Sequence, residues 1–422
     1  MKASDKGRSV LFIDMAYCLD EVLERGHFQF FEARHSNGYF DRVFAVHPLA
    51  DRVTRLDAEV VSLTFSPRQK VIEARSASGR LPRLLMPLDF VLTQRRLVKR
   101  LSRLIEDEGI EVIAATDAIY SGLFGYWLKK ATGRPLIVYI VMHYRFVYES
   151  TKTLAMPRLF PFYRMQAWVT RKVLQNTDLV APGTKTLAEY AIESGADPAR
   201  VHVFPVSKFV NPAHHIPREQ RESAQPLLDR LGIEPAQPLF LTIARLDAVK
   251  LVDHSIRAMR MIANRHPAAV LLIAGRGPEQ EALEALTKSL GLEKNVRFMG
   301  LTSQEDLAAL SPHVISMSPY TGIALFETSL GGAPAIAYDA DAQVSELVRT
   351  GETGLLVPFK DWEALGRAGI AMLDNREATI QMGANMRRHA VELTDPDTVY
   401  AREHALFEEM FAGRRTDASN NR

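Results

Sequence analysis

The fold is decided by two stretches in the second half of the chain, LFLTIARLDAVK at residues 239–250 and VLLIAGRGPEQ at residues 270–280. Each begins with a short apolar run, typical of a buried strand, and passes into a polar turn that precedes a helical pattern. The turn of the first stretch holds two cations, Arg245 and Lys250. Strand, turn and helix in this order predict a parallel sheet that is covered by helices on both faces.

The same alternation runs through most of the chain. In the first half, strands are predicted at residues 10–14, 42–47, 111–115, 136–142, 179–181 and 201–205. In the second half, they are predicted at residues 239–243, 269–273, 296–299, 314–317, 335–337 and 354–357. We therefore expect an α/β protein with two doubly wound, Rossmann-like domains that face a central cleft, where open sheets of this kind bind ligands.

The domain boundaries follow from the same pattern. We expect a first domain at residues 1–211, a linker at 212–238, a second domain at 239–394, a C-terminal helix at 395–412 that packs back towards the first domain, and a flexible tail at 413–422. The linker is predicted from its prolines and charged residues, with room for one short helix.

The composition is that of a soluble globular protein. The chain has 422 residues, of which 47% are hydrophobic and 24% are charged, and this length suggests two or three domains. A single cysteine, Cys18, excludes an intramolecular disulfide and a metal site built from several cysteines. No apolar run reaches the roughly 18 residues of a membrane span, and no signal peptide is recognisable, so we expect a cytoplasmic protein.

Charge is unevenly spread along the chain. Residues 1–200 hold 29 Lys and Arg against 22 Asp and Glu, although the net charge of the whole chain is only +2. The densest basic stretch, residues 95–103, has Leu97 and Leu101 at helical spacing. It is either a helix that contacts an anionic membrane surface or, as charged runs more often are, a solvated helix face. Because no aromatic interleaving or recognition motif accompanies these charges, we do not expect nucleic-acid binding.

The two turns suit a diphosphate, although neither is specific alone. Arg245 can hold two oxygens with its fork and Lys250 adds a mobile charge, but exposed arginines and lysines are common on any surface. Gly275 and Gly277 in the second turn let the backbone approach a ligand or a neighbouring helix closely.

A third stretch, SPYTGIALFE at residues 318–327, predicts the start of a helix near Thr321. The amide groups at that helix start are those of Gly322, Ile323 and Ala324. Free amides at a helix start bind anions. Glu327 lies about one turn further on, where its carboxylate can accept hydrogen bonds from two sugar hydroxyls; alternatively, it is an ordinary exposed helix residue.

Taken together, these pieces resemble family 4 of the retaining glycosyltransferases, which have the GT-B fold. The matching segments are residues 242–250, 272–278, 290–300, 326–334 and 346–358. They lie within a stretch of about 120 residues and make many independent matches, whereas the N-terminal half matches only in architecture and at a few points.

The resemblance implies roles for individual residues. Arg245 and Lys250 would hold the donor diphosphate, and the amides at the helix start would cradle a phosphate. Glu327 would bind the ribose, and the backbone around Met299 would lie against the base. On the acceptor side, the resemblance implies that His143 faces the reacting sugar and that Asp14 belongs to the loop that donor and acceptor approach. A histidine that simply packs at a strand end is the alternative for His143.

Several positions depart from the family pattern. The family usually has two glutamates eight residues apart, but Pro319, or Thr321 in another alignment, stands where the first would be. The loop that begins at Asp14 lacks the usual glycines. Leu251 follows Lys250 in place of a glycine, and residues 205–207 replace an Asn-Gly turn.

The sequence thus predicts an enzyme that transfers a sugar, with retention, from a nucleotide-diphosphate-sugar to a hydroxyl of a glycan or glycolipid, in polysaccharide or glycolipid biosynthesis. The resemblance implies neither a metal ion nor a cofactor. Because the first glutamate is missing, two alternatives stay open: a non-catalytic protein that binds a nucleotide-sugar or stabilises a partner, and a nucleotide-sugar hydrolase or epimerase.

Overall fold

A computed structural model describes the chain at residues 8–15, 33–50, 60–77, 85–204, 210–234, 236–320, 322–340 and 342–420. The chain divides into two compact units. Unit 1 comprises residues 1–205 together with 397–422, and unit 2 comprises residues 206–396.

The described part of unit 1 contains a seven-stranded sheet in the order β3-β4-β2-β1-β5-β6-β7. The strands are β1 (Ser9–Ile13), β2 (Arg42–His47), β3 (Val60–Ser66), β4 (Gln69–Ala74), β5 (Val112–Ala115), β6 (Leu136–Ile140) and β7 (Leu179–Pro182). All neighbours are parallel except β3, which pairs antiparallel with β4 at the edge. The strand predicted at 201–205 is absent from this sheet, because Val201 makes only an isolated bridge to Val180.

Helices connect the strands of unit 1. They are α1 (Met86–Asp107), α2 (Tyr120–Thr132), α3 (Tyr144–Thr151), α4 (Tyr163–Leu174) and α5 (Lys185–Glu193). The basic stretch 95–103 lies inside α1, whose Leu97 and Leu101 are buried as their spacing predicts.

The sheet of unit 2 has six parallel strands in the order β10-β9-β8-β11-β12-β13. They are β8 (Leu239–Ile243), β9 (Val270–Ala274), β10 (Val296–Gly300), β11 (Val314–Ser318), β12 (Ala335–Asp339) and β13 (Gly354–Pro358). The predicted strands of this half agree with these bounds to within two residues. Two doubly wound Rossmann-like units, as the sequence predicts, are thereby confirmed.

The second half of the chain contains the helices that flank this sheet, followed by one long helix that belongs to unit 1. They are α6 (Pro212–His215), α7 (Gln225–Arg230), α8 (Val252–Arg265), α9 (Gln280–Ser289), α10 (Gln304–Leu310), α11 (Ile323–Leu330), α12 (Ala342–Leu347), α13 (Trp362–Asp374), α14 (Arg376–Thr394) and α15 (Pro396–Asn420). The last helix is longer than the 395–412 predicted, and its continuation to Asn420 takes in most of the segment expected to be a tail. None of the helices in the described ranges is both long and apolar enough to cross a membrane.

The segment 212–238, expected to be a linker, instead belongs to the packed body of unit 2. It carries α6 and α7, and Leu227, Leu228 and Ile233 lie in one core with residues of β8 and β9. Its prolines mislead because Pro212 and Pro226 stand in the first turns of these helices, where proline is well tolerated.

Alternate residues of the strands in unit 1 supply two separate cores. Leu11 and Ile13 of β1 join the core that contains α1, α2 and α4, whereas Val10 and Phe12 join the core that contains Phe407 of α15. The sheet is therefore covered on both faces, which explains the nearly continuous apolar character of its central strands.

Candidate active site

Unit 2 has a topological switch point at its carboxyl edge. The chain passes from β8 outwards to β9 and β10, then returns to β11 on the other side of β8. Ligands of open α/β sheets bind outside the carboxyl ends of the two strands at such a point. The turn that holds Arg245 and Lys250 follows β8, and the turn that leads into α11 follows β11, so both predicted turns lie there.

Lys250 joins these two turns. Its Nζ atom lies 3.8 Å from the centroid of the Tyr320 ring, which stands just before α11. Burial lowers the pKa of Lys250, while the nearby Asp247 acts to raise it. A cation over an aromatic face is held electrostatically, so the ring fixes the ammonium group at the amino end of α11.

Arg245 extends into solvent beside the same turn. Its side chain is 71% exposed, and its Nε donates to Oδ2 of Asp247 over 2.6 Å. The second carboxylate oxygen of Asp247 is buried and has no hydrogen-bond partner in the described part of the chain. One carboxylate therefore acts on both cations that the resemblance assigns to the diphosphate.

The glycines after β9 support the Arg245 turn. Gly275 has a φ of +137°, and a Cβ atom placed there would lie 1.9 Å from the carbonyl oxygen of Ala244. A Cβ atom on Gly277 would lie 2.2 Å from the carbonyl oxygen of Leu246. The two turns are stacked, since the Leu246 amide donates to the carbonyl of Arg276 over 3.0 Å. Both positions therefore require glycine because the neighbouring turn lies so close, whether or not a ligand also binds there.

The amino end of α11 has the geometry expected for an anion site. Gly322 is the N-cap in an extended conformation and its carbonyl accepts the Leu325 amide over 3.1 Å. Ile323 and Ala324 form the first turn and are half-buried. Amides in the first turn of a helix point out of its end, where the helix dipole favours negative charge. Thr321, also predicted in this site, lies outside the described residues.

Glu327 is buried, and the alternative of an exposed helix residue is wrong. Its side chain is only 6% exposed, and Oε1 accepts a hydrogen bond from the Asn211 amide over 3.3 Å. Burial raises the pKa of Glu327 to about 7, and the hydrogen bond opposes that rise. The second carboxylate oxygen of Glu327 is suited to accept hydrogen bonds from a ligand. A carboxyl group whose ionisation is opposed by burial is a common feature of functional sites.

Met299 lies further along the same edge. It stands in β10, two strands from β8, and packs half-buried against the core beneath α10 and α7. The following residue, Gly300, accepts the Gly275 amide over 2.8 Å, so this end of β10 adjoins the glycine turn.

In unit 1, His143 caps α3 at the carboxyl end of β6. Its Nδ1 accepts the Phe146 amide over 3.0 Å, and its ring stacks on Tyr190 with the centroids 4.3 Å apart. Burial and the nearby Arg145 lower the pKa of His143. The ring is therefore held neutral, with the proton on Nε2 because Nδ1 is an acceptor.

Asp14 lies at the end of β1, beside the switch point between β1 and β5. Its carboxylate pairs with the buried guanidinium of Arg34. Next to it, Asp117 follows β5 and accepts hydrogen bonds of 2.6 Å from the Ile119 amide and the Ser121 hydroxyl. Burial raises the pKa of Asp117.

The sequence reading missed the residues that hold these groups. They are Asn211, Asp247, Tyr320, Arg34 and Tyr190. Only Asp247 carried a local signal, since it stands two residues after Arg245. The others meet their partners through long-range packing. In the described ranges, no group of three or more His, Cys, Asp or Glu side chains is placed to hold a metal ion.

Two family models match the chain. The model for "Glycosyl transferases group 1" matches residues 225–389, and the model for "Glycosyl transferase 4-like domain" matches residues 43–207. Together they span more than three quarters of the chain, one in each half.

Individual relatives agree with these models. A D-inositol 3-phosphate glycosyltransferase of Nocardia farcinica is 28% identical over 52% of this chain and 50% of its own. The chain spans about half, or less, of the length of the curated relatives it matches. Among solved structures, sucrose-phosphate synthase of Thermosynechococcus elongatus has a TM-score of 0.75 at 18% identity, covering 96% of this chain and 100% of that one. Anabaena HepE in complex with UDP-glucose has a TM-score of 0.69 at 17% identity, covering 96% and 99%. The family models and the shared fold together show that the chain belongs to the family 4-type glycosyltransferases of the GT-B fold.

Proposed function

We propose that this protein transfers a sugar from a nucleotide-diphosphate-sugar to an acceptor hydroxyl with retention of the anomeric configuration. The observation that carries the proposal is the meeting of the β8 turn with the amino end of α11 through Lys250 and Tyr320. Lys250 and the start of α11 lie together at the switch point, and Arg245 stands in the same β8 turn, which is an arrangement that suits a diphosphate.

The donor would bind along the carboxyl edge of unit 2. Arg245, Lys250 and the amides of residues 322–324 would hold the diphosphate. Glu327 would accept hydrogen bonds from the ribose, and the backbone around Met299 would lie against the base. Arg245 would exchange its contact with Asp247 for phosphate oxygens, because a bidentate phosphate contact offers more charge than one carboxylate oxygen.

The reaction needs few protein groups. The bond between the anomeric carbon and the diphosphate oxygen breaks with oxocarbenium character, and the acceptor hydroxyl forms its new bond on the same face. The hydroxyl proton passes to the departing phosphate. Arg245, Lys250 and the helix amides stabilise the charge that develops on the leaving group, so the proposal requires neither a divalent ion nor a cofactor.

Unit 1 would supply the acceptor side. With Nδ1 occupied by the helix cap, His143 can offer only its Nε2 proton, as a donor to a sugar hydroxyl. Asp14 would lie near the acceptor. The absence of a carboxylate at Pro319 removes the contact that the family usually makes to the donor sugar, which motivates the non-catalytic binding protein as a second candidate.

A glycan or glycolipid acceptor is proposed by analogy with relatives. One relative is an exopolysaccharide phosphotransferase of Streptomyces coelicolor, and one protein of similar fold is a glycosyltransferase involved in lipopolysaccharide biosynthesis. We propose a cytoplasmic enzyme that works at the inner face of a membrane, in contact with the basic stretch 95–103 of α1.

Substrate binding and transfer test the proposal in two steps. A thermal-shift panel of nucleotide-sugars identifies the donor, and a transfer assay with that donor and candidate glycan acceptors measures turnover and product anomer. Arg245→Ala should lower turnover at least about a hundredfold, as loss of one group that stabilises developing charge does. The matched control is Arg349→Ala, an exposed arginine of unit 2 that also neighbours a carboxylate and should leave turnover unchanged.

The outcomes separate the candidate functions. Wild-type turnover in Arg245→Ala, or an inverted product, contradicts the proposal. A donor-induced shift with no transfer to any acceptor favours the non-catalytic binding protein, and release of free sugar without an acceptor favours the hydrolase.

A further inference from the structure

The solvent face of α4 carries an apolar patch that no described residue covers. Phe162, Met165 and Trp168 follow one another at intervals of three residues, which keeps them on one side of the helix. Their side chains are 70%, 43% and 63% exposed, whereas Val169 and Val173 are buried. Two large aromatic side chains with this exposure are unusual on a protein that contacts only water. We call these three residues the α4 patch.

The α4 patch lies in a segment whose charged residues are all basic. Residues 152–175 contain five basic residues and not one Asp or Glu. The basic residues are Lys152, Arg158, Arg164, Arg171 and Lys172, and all five are exposed. Aromatic residues flanked by exposed cations are typical of surfaces that sit at the boundary between lipid headgroups and acyl chains.

The exposed side of α1 repeats this combination on the same face of the sheet. The connections through α1, α2 and α4 all run in one direction across the sheet, and right-handed crossovers then place the three helices on one face. Leu101, Phe124 and Val173, one from each helix, share a single core. The outward side of α1 begins with exposed apolar residues and continues with the exposed basic residues of 95–103. Those apolar residues are Leu85, Leu88, Val91 and Leu92.

We propose that unit 1 docks on an anionic phospholipid bilayer through the outer side of this helical layer. The α4 patch enters the interface, and the cations of α1 and α4 contact the headgroups. The apolar anchor matters because charge alone is screened by salt, and stable peripheral binding combines electrostatic attraction with buried apolar area. The docking does not depend on sugar transfer, and it extends the predicted contact of residues 95–103 to a second, aromatic element.

Exposed aromatic rings can also stack on sugars, so a glycan is the competing occupant. The charges favour the bilayer, because a neutral glycan offers no negative charge to the five exposed basic residues of this segment. The two occupants give different results in one fluorescence experiment.

That experiment uses Trp168 as its probe. The chain has three tryptophans, so Trp127→Phe with Trp362→Phe leaves Trp168 alone. The full chain is mixed with vesicles of phosphatidylglycerol and phosphatidylcholine in equal parts, with pure phosphatidylcholine vesicles, or with soluble dextran. We expect a blue shift, and quenching by brominated acyl chains, only with the anionic vesicles. No shift with anionic vesicles, an equal shift with neutral vesicles, or a shift with dextran alone overturns the proposal.

Vesicle flotation with variants tests the surface itself. Replacing Phe162, Met165 and Trp168 by serine should weaken binding to the anionic vesicles at least about tenfold, given the apolar area withdrawn from the interface. The control replaces Leu301, Ile380 and Val391 by serine, three exposed apolar residues of unit 2, and should bind like the wild type. Equal binding by the two triple variants contradicts the proposal once circular dichroism shows that both are folded.

The charge contribution is tested separately. Arg164→Glu with Lys172→Glu should weaken binding at least about tenfold at low salt and less at high salt, because the attraction acts within a Debye length of the surface. Unchanged binding at low salt contradicts the role of the cations. Nucleotide-sugar binding in unit 2 should remain unchanged in these variants, so failure of the docking and failure of the proposed transfer are distinguishable.

Discussion

Nucleotide-sugar binding should strengthen as the pH rises through neutrality, because Glu327 must lose a proton before it can accept two hydrogen bonds from the ribose. In the free protein, burial raises the pKa of Glu327 to about 7, so about half of the molecules carry a neutral carboxyl group at that pH. In a neutral carboxyl group one oxygen carries the proton and is a hydrogen-bond donor. Such a group can therefore accept fewer hydrogen bonds from the ribose hydroxyls.

The size of the effect follows from proton linkage. If the bound ribose returns the carboxyl group to an ordinary pKa of about 4.3, the dissociation constant should fall about tenfold between about pH 6 and pH 8. It should change little above about pH 8, where Glu327 is already ionised. The neighbouring His214 does not interfere, since burial lowers its pKa to about 4 and it stays neutral across this range.

Calorimetric titration with a nucleotide-diphosphate-sugar measures this dependence directly. The intact sugar nucleotide is required, because the terminal phosphate of a free nucleoside diphosphate itself titrates near neutrality. Glu327→Gln should bind more weakly at pH 8 and show a flat profile. A flat profile in the wild type, or an unchanged slope in Glu327→Gln, would contradict the coupling of donor binding to ionisation of Glu327.

The same raised pKa has a consequence for stability. A carboxyl group whose pKa is raised by folding stabilises the fold below its ordinary pKa, and this contribution is lost as the pH rises through about 7. Glu327→Gln cannot ionise, so its melting temperature should exceed that of the wild type at pH 8 by more than at pH 5. An equal difference at both pH values would contradict the burial of an ionisable group.

Three further pairs of substitutions, each a test with its control, probe the site. Gly275→Ala should lower the free energy of unfolding by about 2–4 kcal/mol in denaturant titrations, because its Cβ atom meets backbone that cannot yield, whereas Gly322→Ala, in extended backbone with open space, should cost little. His143→Ala should lose about 1 kcal/mol of helix capping that His143→Asn retains; equal loss of transfer in both would show that the imidazole acts on the substrate. Tyr320→Leu should weaken donor binding about threefold by releasing Lys250, while Tyr320→Phe should not; a phenylalanine variant as weak as the leucine one would contradict the ring contact.

The central strands of the unit 2 sheet were predictable because they are buried on both faces. Strands such as Leu239–Ile243 and Val270–Ala274 are therefore continuous apolar runs that end in a polar or glycine turn. The edge hairpin of unit 1 has no such signature. Val60–Ser66 alternates polar with apolar residues and meets Gln69–Ala74 across a Pro67-Arg68 turn, so neither strand forms an apolar run.

The sequence predicts which charged residues belong to the candidate site. It does not predict which residues contact them. Arg245, Lys250 and Glu327 stand at positions that the order of strand, turn and helix specifies. Glu327 accepts a hydrogen bond from the backbone of Asn211, which lies 116 residues earlier, and no local pattern reveals such a contact. The stacking of His143 on Tyr190 is likewise a product of how α3 and α5 pack.

Leu251 has an unusual backbone conformation beside Lys250. The family pattern has a glycine there, and the leucine still adopts the left-handed conformation, with a φ of +53° and a ψ of +36°. For a leucine this conformation costs roughly 1–2 kcal/mol, and packing of its side chain against the core of unit 2 offsets part of that cost.

The turn that positions Lys250 is therefore maintained against the preference of its own sequence, which indicates that its geometry matters. The position of the first family glutamate is different, because Pro319 has no carboxylate and Tyr320 beside it faces Lys250. Divergence in this chain has thus spared the geometry that suits a diphosphate and has altered the part of the site that the family uses for the donor sugar. If the protein transfers a sugar as proposed, the choice of that sugar depends on groups other than a carboxylate at residue 319.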